Sequence, residues 1–253
     1  MFDHVTIRAS DRAASEAFYD TVLATIGAQK THSDDELAEW HEFSLAEATD
    51  ERPPTRGLHI AFAAPTRELA VTFWRTGTAT GYRDDGPPGP RPQYGPSYFG
   101  AFLLDPDGNS AEAVHDDRVA PRGGIDHLWI RVADVAASRA FYLAVAPFAG
   151  FEIRDDTPDR VQFVGGGRSF SVVSGSPTEH VHLAFPAAGD ATVDAFHREL
   201  TADGYRDDGA PGERPEYHPG YYAAYVLDPD GNGVELVNHN RERGGPAQRA
   251  IPY

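Results

Sequence analysis

The chain has 253 residues, 22 Lys and Arg against 39 Asp and Glu, a formal charge of −17 and no cysteine. The length suits one large or two small domains, and the missing thiols exclude disulfides, thiolate zinc sites and iron–sulfur clusters, so any metal must be held by His, Asp or Glu. A body this acidic repels phosphate backbones and anionic lipid, no apolar run reaches transmembrane length, and no leader pattern opens the sequence, so the expected partner is a small molecule, with no nucleic acid and no membrane, and the expected location is the cytoplasm.

Taken in chain order, the first predicted element is a strand at residues 4–8, where Val5 and Ile7 alternate with polar neighbours. Ser10 or Asp11 caps a helix that carries Ala14, Phe18 and Val22 at helical spacing and stops at Gly27. Further strands follow, one of them over residues 40–45. A second unit opens with a strand at 58–62, continues with a helix bearing Leu69 and Phe73 that ends at Gly81, and passes through a Pro/Gly-rich loop from Gly86 to Pro96. It closes with a hairpin over 98–104 and 110–115. That hairpin turns at Asp105-Pro106-Asp107-Gly108-Asn109, where Pro after Asp and then Asp-Gly are strong turn formers.

After a polar stretch from Asp116 to Gly124 the same series starts again. Asp228-Pro229-Asp230-Gly231-Asn232 repeats the turn at an offset of 228 − 105 = 123, and Phe141-Tyr142 repeats Phe18-Tyr19 at the same offset. The second series predicts a strand at 127–131, a helix capped by Asp134 and stopped at Gly150, and strands at 169–173 and 181–185. A helix with Val193, Phe196 and Leu200 then ends at Gly204, and a loop from Gly209 to Pro219 leads to the closing hairpin. The offset suggests two copies without insertions, with domains at 1–117 and 123–240 and a flexible tail at 241–253. Each copy reads β-α-β-β-β twice, an α+β arrangement with helices on one face of a mostly antiparallel sheet.

Three candidate ligand residues recur at the offset: His4 with His127, His59 with His182, and Glu112 with Glu235. Strand alternation turns Val181, Leu183 and Phe185 toward the helices and His182 to the opposite face, and the same reasoning turns His4, His59 and His127 away from the helices. Two histidines and a carboxylate on one concave surface form a facial triad that leaves open positions on Fe2+, Mn2+ or a similar ion. His32, His41, His115, His180, His197, His218 and His239 lack a counterpart at the offset and are expected on the surface or outside the ligand set.

These features resemble the vicinal oxygen chelate superfamily, which includes glyoxalase I, extradiol dioxygenases and bleomycin-resistance proteins. The most specific segments are residues 98–112 and 221–235, each running from an aromatic strand through the Asp-Pro-Asp-Gly-Asn turn to a Glu. The resemblance implies two tandem glyoxalase-like domains, each a pair of βαβββ units around a curved sheet. It implies a divalent metal (Fe2+, Mn2+, Ni2+ or Zn2+) on His4, His59, Glu112, His127, His182 and Glu235. The expected function is a glyoxalase-like lyase or isomerase, or a ring-cleaving dioxygenase, acting on vicinal oxygens; the alternative is a small-molecule binding protein without catalysis. Tyr98, Tyr221 and Tyr225 are candidate acids, Tyr225 because it lies ten residues before Glu235. Arg91, Tyr94, Arg214 and Tyr217 are candidate substrate-binding residues on the Pro/Gly-rich loops, and a monomer or homodimer is expected. Whether His4 joins the ligands of its own copy or those of the other stays open at this level.

Overall fold

The computed structural model describes residues 1–117 and 123–240; the predicted tail at 241–253 and the centre of the linker lie outside the described residues. Four βαβββ units follow one another. The first comprises β1 (His4–Ala9), α1 (Arg12–Leu23), β2 (His32–Ser33), β3 (Leu37–Trp40) and β4 (Phe43–Glu47). The second comprises β5 (His59–Ala63), α2 (Arg67–Thr80), β6 (Arg83–Pro90), β7 (Phe99–Leu104) and β8 (Ser110–His115). The third comprises β9 (Ile125–Val132), α3 (Val135–Ala149), β10 (Glu152–Thr157), β11 (Arg160–Gly165) and β12 (Arg168–Ser174). The last comprises β13 (His182–Pro186), α4 (Asp190–Ala202), β14 (Arg206–Glu213), β15 (Tyr222–Leu227) and β16 (Gly233–Asn238).

Local chemistry accounts for the helix limits. Asp11 accepts from Ala14 N, Asp134 from Ala136 N and Ala137 N, and Thr66 from Leu69 N, satisfying amides that a helix start leaves unpaired. Gly81 and Gly150 end their helices in the left-handed conformation. Ser10 is not the cap: its backbone N–H donates to Asp107 of the first hairpin turn at 2.9 Å. That turn is a brace. Asp105 accepts from Asn109 N and from the Tyr19 hydroxyl, and Asn109 accepts from Leu58 N, so it ties α1, β5 and the hairpin together.

In every unit the first strand pairs in parallel with the last, and the remaining contacts are antiparallel. Two units then join through their first strands, and they join across the repeats. One eight-stranded sheet runs β14-β15-β16-β13-β1-β4-β3-β2, and the other runs β10-β11-β12-β9-β5-β8-β7-β6. The seams are β1 with β13 and β5 with β9, both antiparallel. Helix α1 packs on α2 and α3 on α4, so the helix-facing sides of both sheets merge into one apolar core that includes Val5, Ile7, Phe62, Leu128, Phe170 and Phe185.

Three expectations are corrected. The strand predicted over residues 40–45 is two strands: β3 ends at Trp40, His41 adopts φ 58°, and β4 starts at Phe43 opposite Trp40 in a tight hairpin. The repeat offset is not constant. Val5 pairs with Phe43 and Leu128 with Phe170, so this strand is displaced by 170 − 43 = 127 where β1 and β9 are displaced by 128 − 5 = 123. A longer β10–β12 ribbon in the second repeat is compensated by a longer connection from β4 to β5 in the first. Finally, the segments expected as loops from Gly86 and Gly209 begin as edge strands. β6 reaches Pro90 and β14 reaches Glu213 with irregular register, and an edge tolerates proline because its outer N–H positions need no partner.

Candidate metal centres

The sheet register brings the candidate ligands together. His4 lies opposite Ala184 on β13, and Ala184 lies beside Glu235 on β16. In the other sheet His127 lies opposite Ala61, which lies beside Glu112. Each row thus reads His–Ala–Glu across three strands, with the second histidine, His182 or His59, two residues before the alanine on the middle strand. Strands are spaced about 4.8 Å apart, so the outer side chains stand two spacings from each other and meet above the small alanine. Ala61 and Ala184 are fully buried. Neither stood out in the sequence, although the two alanines recur at the offset.

Two groups result, His4–His182–Glu235 and His59–Glu112–His127, with the ligand atoms of each within 4.8 Å of one another. Glu235 Oε2 is 2.9 Å from His182 Nε2 and 3.4 Å from His4 Nε2. Glu112 Oε2 is 3.0 Å from His59 Nε2 and 3.5 Å from His127 Nε2. His4 Nε2 is buried and makes no hydrogen bond of acceptable geometry, an uncommon state for a buried nitrogen and one that a coordinated cation would relieve. The donor set of two imidazoles and one carboxylate suits a divalent first-row metal. The residues present therefore fit a divalent ion at both places.

Side chains behind the site hold His4, His127, Glu112, Glu235 and His59 in place. Asp3 Oδ1 accepts from His4 Nδ1 at 2.9 Å and Asp126 Oδ1 from His127 Nδ1 at 2.8 Å, which leaves Nε2 of each ring directed into the site. These two carboxylates escaped the sequence reading, though an Asp-His pair opens both repeats. Tyr98 donates to Glu112 Oε1 at 2.8 Å and Tyr221 to Glu235 Oε1 at 2.6 Å, so each Glu keeps Oε2 for the site. His59 Nδ1 lies 3.0 Å from Ser110 Oγ.

The electrostatics follow. Burial pushes His4 down, but the hydrogen bond to Asp3 and the nearby negative charge of Glu235 more than offset it and raise its pKa to about 10. Against the same burial effect, Asp126 and Glu112 raise His127 to about 9. Burial raises Glu112, yet His127 and His59 hold it at about 2, and Glu235 is likewise lowered by His182 and His4. His182 moves the other way, lowered because burial outweighs its bond to Glu235. Tyr98 is pushed far above the usual phenol range by burial and then by the Glu112 charge, so it stays protonated.

The remaining predicted residues fall into two sets. Tyr94 lies at the mouth of the His59 centre, edge-on to Trp129 at 5.5 Å, and both line two adjoining cavities of about 480 and 200 Å³ that reach His127. Tyr217 packs on Tyr221 at 4.9 Å, and Tyr225 lies 6.4 Å from His182, where the His59 centre has Phe102 at 6.0 Å. Arg91 lines neither of these cavities. Arg91 donates to the Pro87 and Pro90 carbonyls and lies over Phe102; Arg214 donates to the Ala210 and Glu213 carbonyls and lies over Tyr225. Both guanidiniums brace the loops.

The Glyoxalase/Bleomycin resistance protein/Dioxygenase superfamily model matches residues 1–113 and 124–236. The chain belongs to this superfamily. Among solved structures, glyoxalase I from Zea mays is 20% identical, with 94% of this chain and 92% of that one covered and a TM-score of 0.66. A putative dioxygenase from Bacillus subtilis is 13% identical, with coverages of 95% and 85% and a TM-score of 0.63. At these identities the likeness establishes the fold. No curated protein sequence gives a significant match. The superfamily domain is present twice in tandem, and each sheet draws one unit from each copy. Among the described residues, no helix is long and apolar enough to cross a membrane.

Proposed function

We propose that this superfamily member is a divalent-metal-dependent enzyme acting on a small substrate with two adjacent oxygens, as a glyoxalase-like lyase or isomerase or as a ring-cleaving dioxygenase. The reading rests on one observation: two separate sets of two His and one Glu, each with its ligand atoms within 4.8 Å, and with Asp3, Asp126, Tyr98, Tyr221 and Ser110 engaging the rear atoms of His4, His127, Glu112, Glu235 and His59. His4, His182 and Glu235 would hold one ion, and His59, Glu112 and His127 the other, from among Fe2+, Mn2+, Ni2+ and Zn2+. Such an ion supplies Lewis acidity toward a substrate oxygen while leaving coordination positions open.

The protein's own groups divide the remaining work. Asp3 and Asp126 orient the imidazoles, and Tyr98 and Tyr221 orient the carboxylates. The hydroxyls of both tyrosines are committed to a Glu oxygen, which favours a positioning role over proton donation to substrate. Tyr94 and Trp129 form an aromatic wall for the substrate at the His59 centre. Tyr225 stands beside His182 and is the candidate acid at the His4 centre. Phe102 in the equivalent place can donate no proton, so the ring-cleaving branch belongs to the His4 centre alone. Function as a monomer or homodimer in the cytoplasm completes the proposal. The aromatic wall also supports a second reading, a binding protein that sequesters a flat small molecule without turnover.

Metal analysis separates the two. Purified and reconstituted protein should carry about two metals per chain, one per triad, and Glu112→Gln and Glu235→Gln should each remove about one. A chain that takes up no Fe, Mn, Ni or Zn after reconstitution would sink the enzyme reading. Oxygen uptake with a catechol then tests the dioxygenase branch.

A further inference from the structure

We propose that His218 and His239 are positioning residues of the His4 centre, holding Asp3 and through it the His4 ring. The inference rests on the reading of His4, His182 and Glu235 as a metal site. A continuous hydrogen-bonded chain leads outward from the ligand. His4 Nδ1 donates to Asp3 Oδ1 at 2.9 Å, and His239 Nε2 donates to Asp3 Oδ2 at 2.8 Å, because an ionised carboxylate can only accept. His239 Nδ1 and His218 Nε2 share a bond of 2.8 Å, and His218 Nδ1 donates to the Pro219 carbonyl at 2.8 Å. Both oxygens of Asp3 are thereby engaged, and a rotation that would swing Oδ1 away from His4 must also break the bond to His239.

The same pair braces the other arm of the centre. The two hydrogen-bonded imidazoles lie nearly coplanar, with centroids 5.1 Å apart and an interplanar angle of 14°, and the Tyr221 ring meets them edge-on, at 5.4 Å from His218 and 5.2 Å from His239. Tyr221 is the residue whose hydroxyl orients Glu235. Two histidines outside the ligand set therefore touch the support of His4 by hydrogen bonding and the support of Glu235 by packing.

Among the described residues, the His59 centre lacks this pair of histidines. The matching positions are 218 − 123 = 95 and 239 − 123 = 116, occupied by Gly95 and Asp116. Neither residue carries an imidazole. The two centres share their ligand types, and the histidine pair stands behind the His4 centre, so a change at His239 should act on one centre only. That difference supplies an internal control within a single chain.

The test uses the full chain with Glu112→Gln, so that Co2+ titration reads the His4 centre alone. His239→Leu should weaken Co2+ binding about 10–100-fold, the usual cost of losing a partner behind a metal ligand, and should alter the visible Co2+ spectrum. His239→Gln keeps an N–H able to reach Asp3 and should restore most of the affinity. With Glu235→Gln instead, His239→Leu should leave Co2+ binding at the His59 centre unchanged. An unchanged affinity of His239→Leu at the His4 centre, equal weakening at both centres, or no rescue by Gln would each overturn the proposal. If the Glu112→Gln chain binds no Co2+, the metal reading fails instead. The positioning claim is then read in metal-free protein by NMR, where the hydrogen-bonded Nδ1 proton of His4 should persist in the parent and exchange away in His239→Leu; its persistence in both refutes the claim.

Discussion

Metal uptake at these centres should release protons, and the structure sets the sign and size. In the metal-free protein His127 sits against Glu112 and Asp126 with its pKa raised from 6.5 to about 9, so at pH 7 it is the imidazolium. A cation can coordinate only the neutral ring, so binding must displace that proton. Two pH units below the pKa the displacement costs about 100-fold in affinity, or about 3 kcal/mol. At the His4 centre, with His4 raised to about 10, the same reasoning gives about 1,000-fold. Affinity should therefore rise about tenfold per pH unit between pH 6 and 8, with about one proton released per ion. Calorimetric titration with Mn2+ or Zn2+ in two buffers of different ionisation enthalpy measures both quantities, and Glu235→Gln isolates the His59 centre. PH-independent affinity with no proton release would refute the argument, because it would mean that no Glu112–His127 ion pair exists before the metal arrives.

Metal-free stability should peak between about pH 4.5 and 6.5: the contribution from Glu112, depressed from 4.5 to about 2, is lost as pH falls through that range, and the contribution from His127 is lost as pH rises from 6.5 through about 9. The two shifts describe one ion pair and count once, on the order of 3 kcal/mol, readable as a denaturation midpoint against pH. Ala61→Leu should abolish metal binding at the His59 centre while sparing the other, since the added side chain stands between His127 and Glu112; full occupancy in this variant would contradict the His–Ala–Glu row. Tyr98→Phe should weaken the His59 centre about 10-fold or more by freeing Glu112, with Tyr221→Phe doing the same at the His4 centre, both measured by metal titration. Arg91→Ala should lower thermal stability by about 1 kcal/mol through two lost carbonyl bonds and leave KM for any substrate within about twofold; a large KM effect would return Arg91 to the substrate.

Much of the site was legible because its signals are local. Alternation along His4-Val5-Thr6-Ile7 and Val181-His182-Leu183 assigns a face to each histidine, and Val5, Ile7, Val181 and Leu183 do pack in the apolar core on the helix side. The Asp-Pro-Asp-Gly-Asn turns place Glu112 and Glu235 on closing strands. What was missed depends on contacts across strands. Ala61 and Ala184 matter only because of what lies on either side of them, and Asp3 and Asp126 only because the adjacent ring turns back onto them. The Pro-rich segment from Gly86 looked like a loop because proline opposes central strands, whereas an edge accommodates it. The arginines of these loops suggested substrate contacts by charge alone, and the carbonyls that bind them are visible only in three dimensions.

The sequence by itself determined the four βαβββ units, the tandem repeat and the six ligand candidates, because each is written in alternation, capping and turn residues within a single unit. Tertiary structure decided how the six divide. The first strand of every unit presents the same pattern and a free edge, so His4 could have joined His59 and Glu112 through β5 as readily, by pattern, as it joins His182 and Glu235 through β13. Pairing of β1 with β13 and of β5 with β9 makes each centre a product of both repeats. Nothing within a unit specifies that choice, since a hydrogen-bonding edge is much the same in every strand. It is set by the packing of four units around one core.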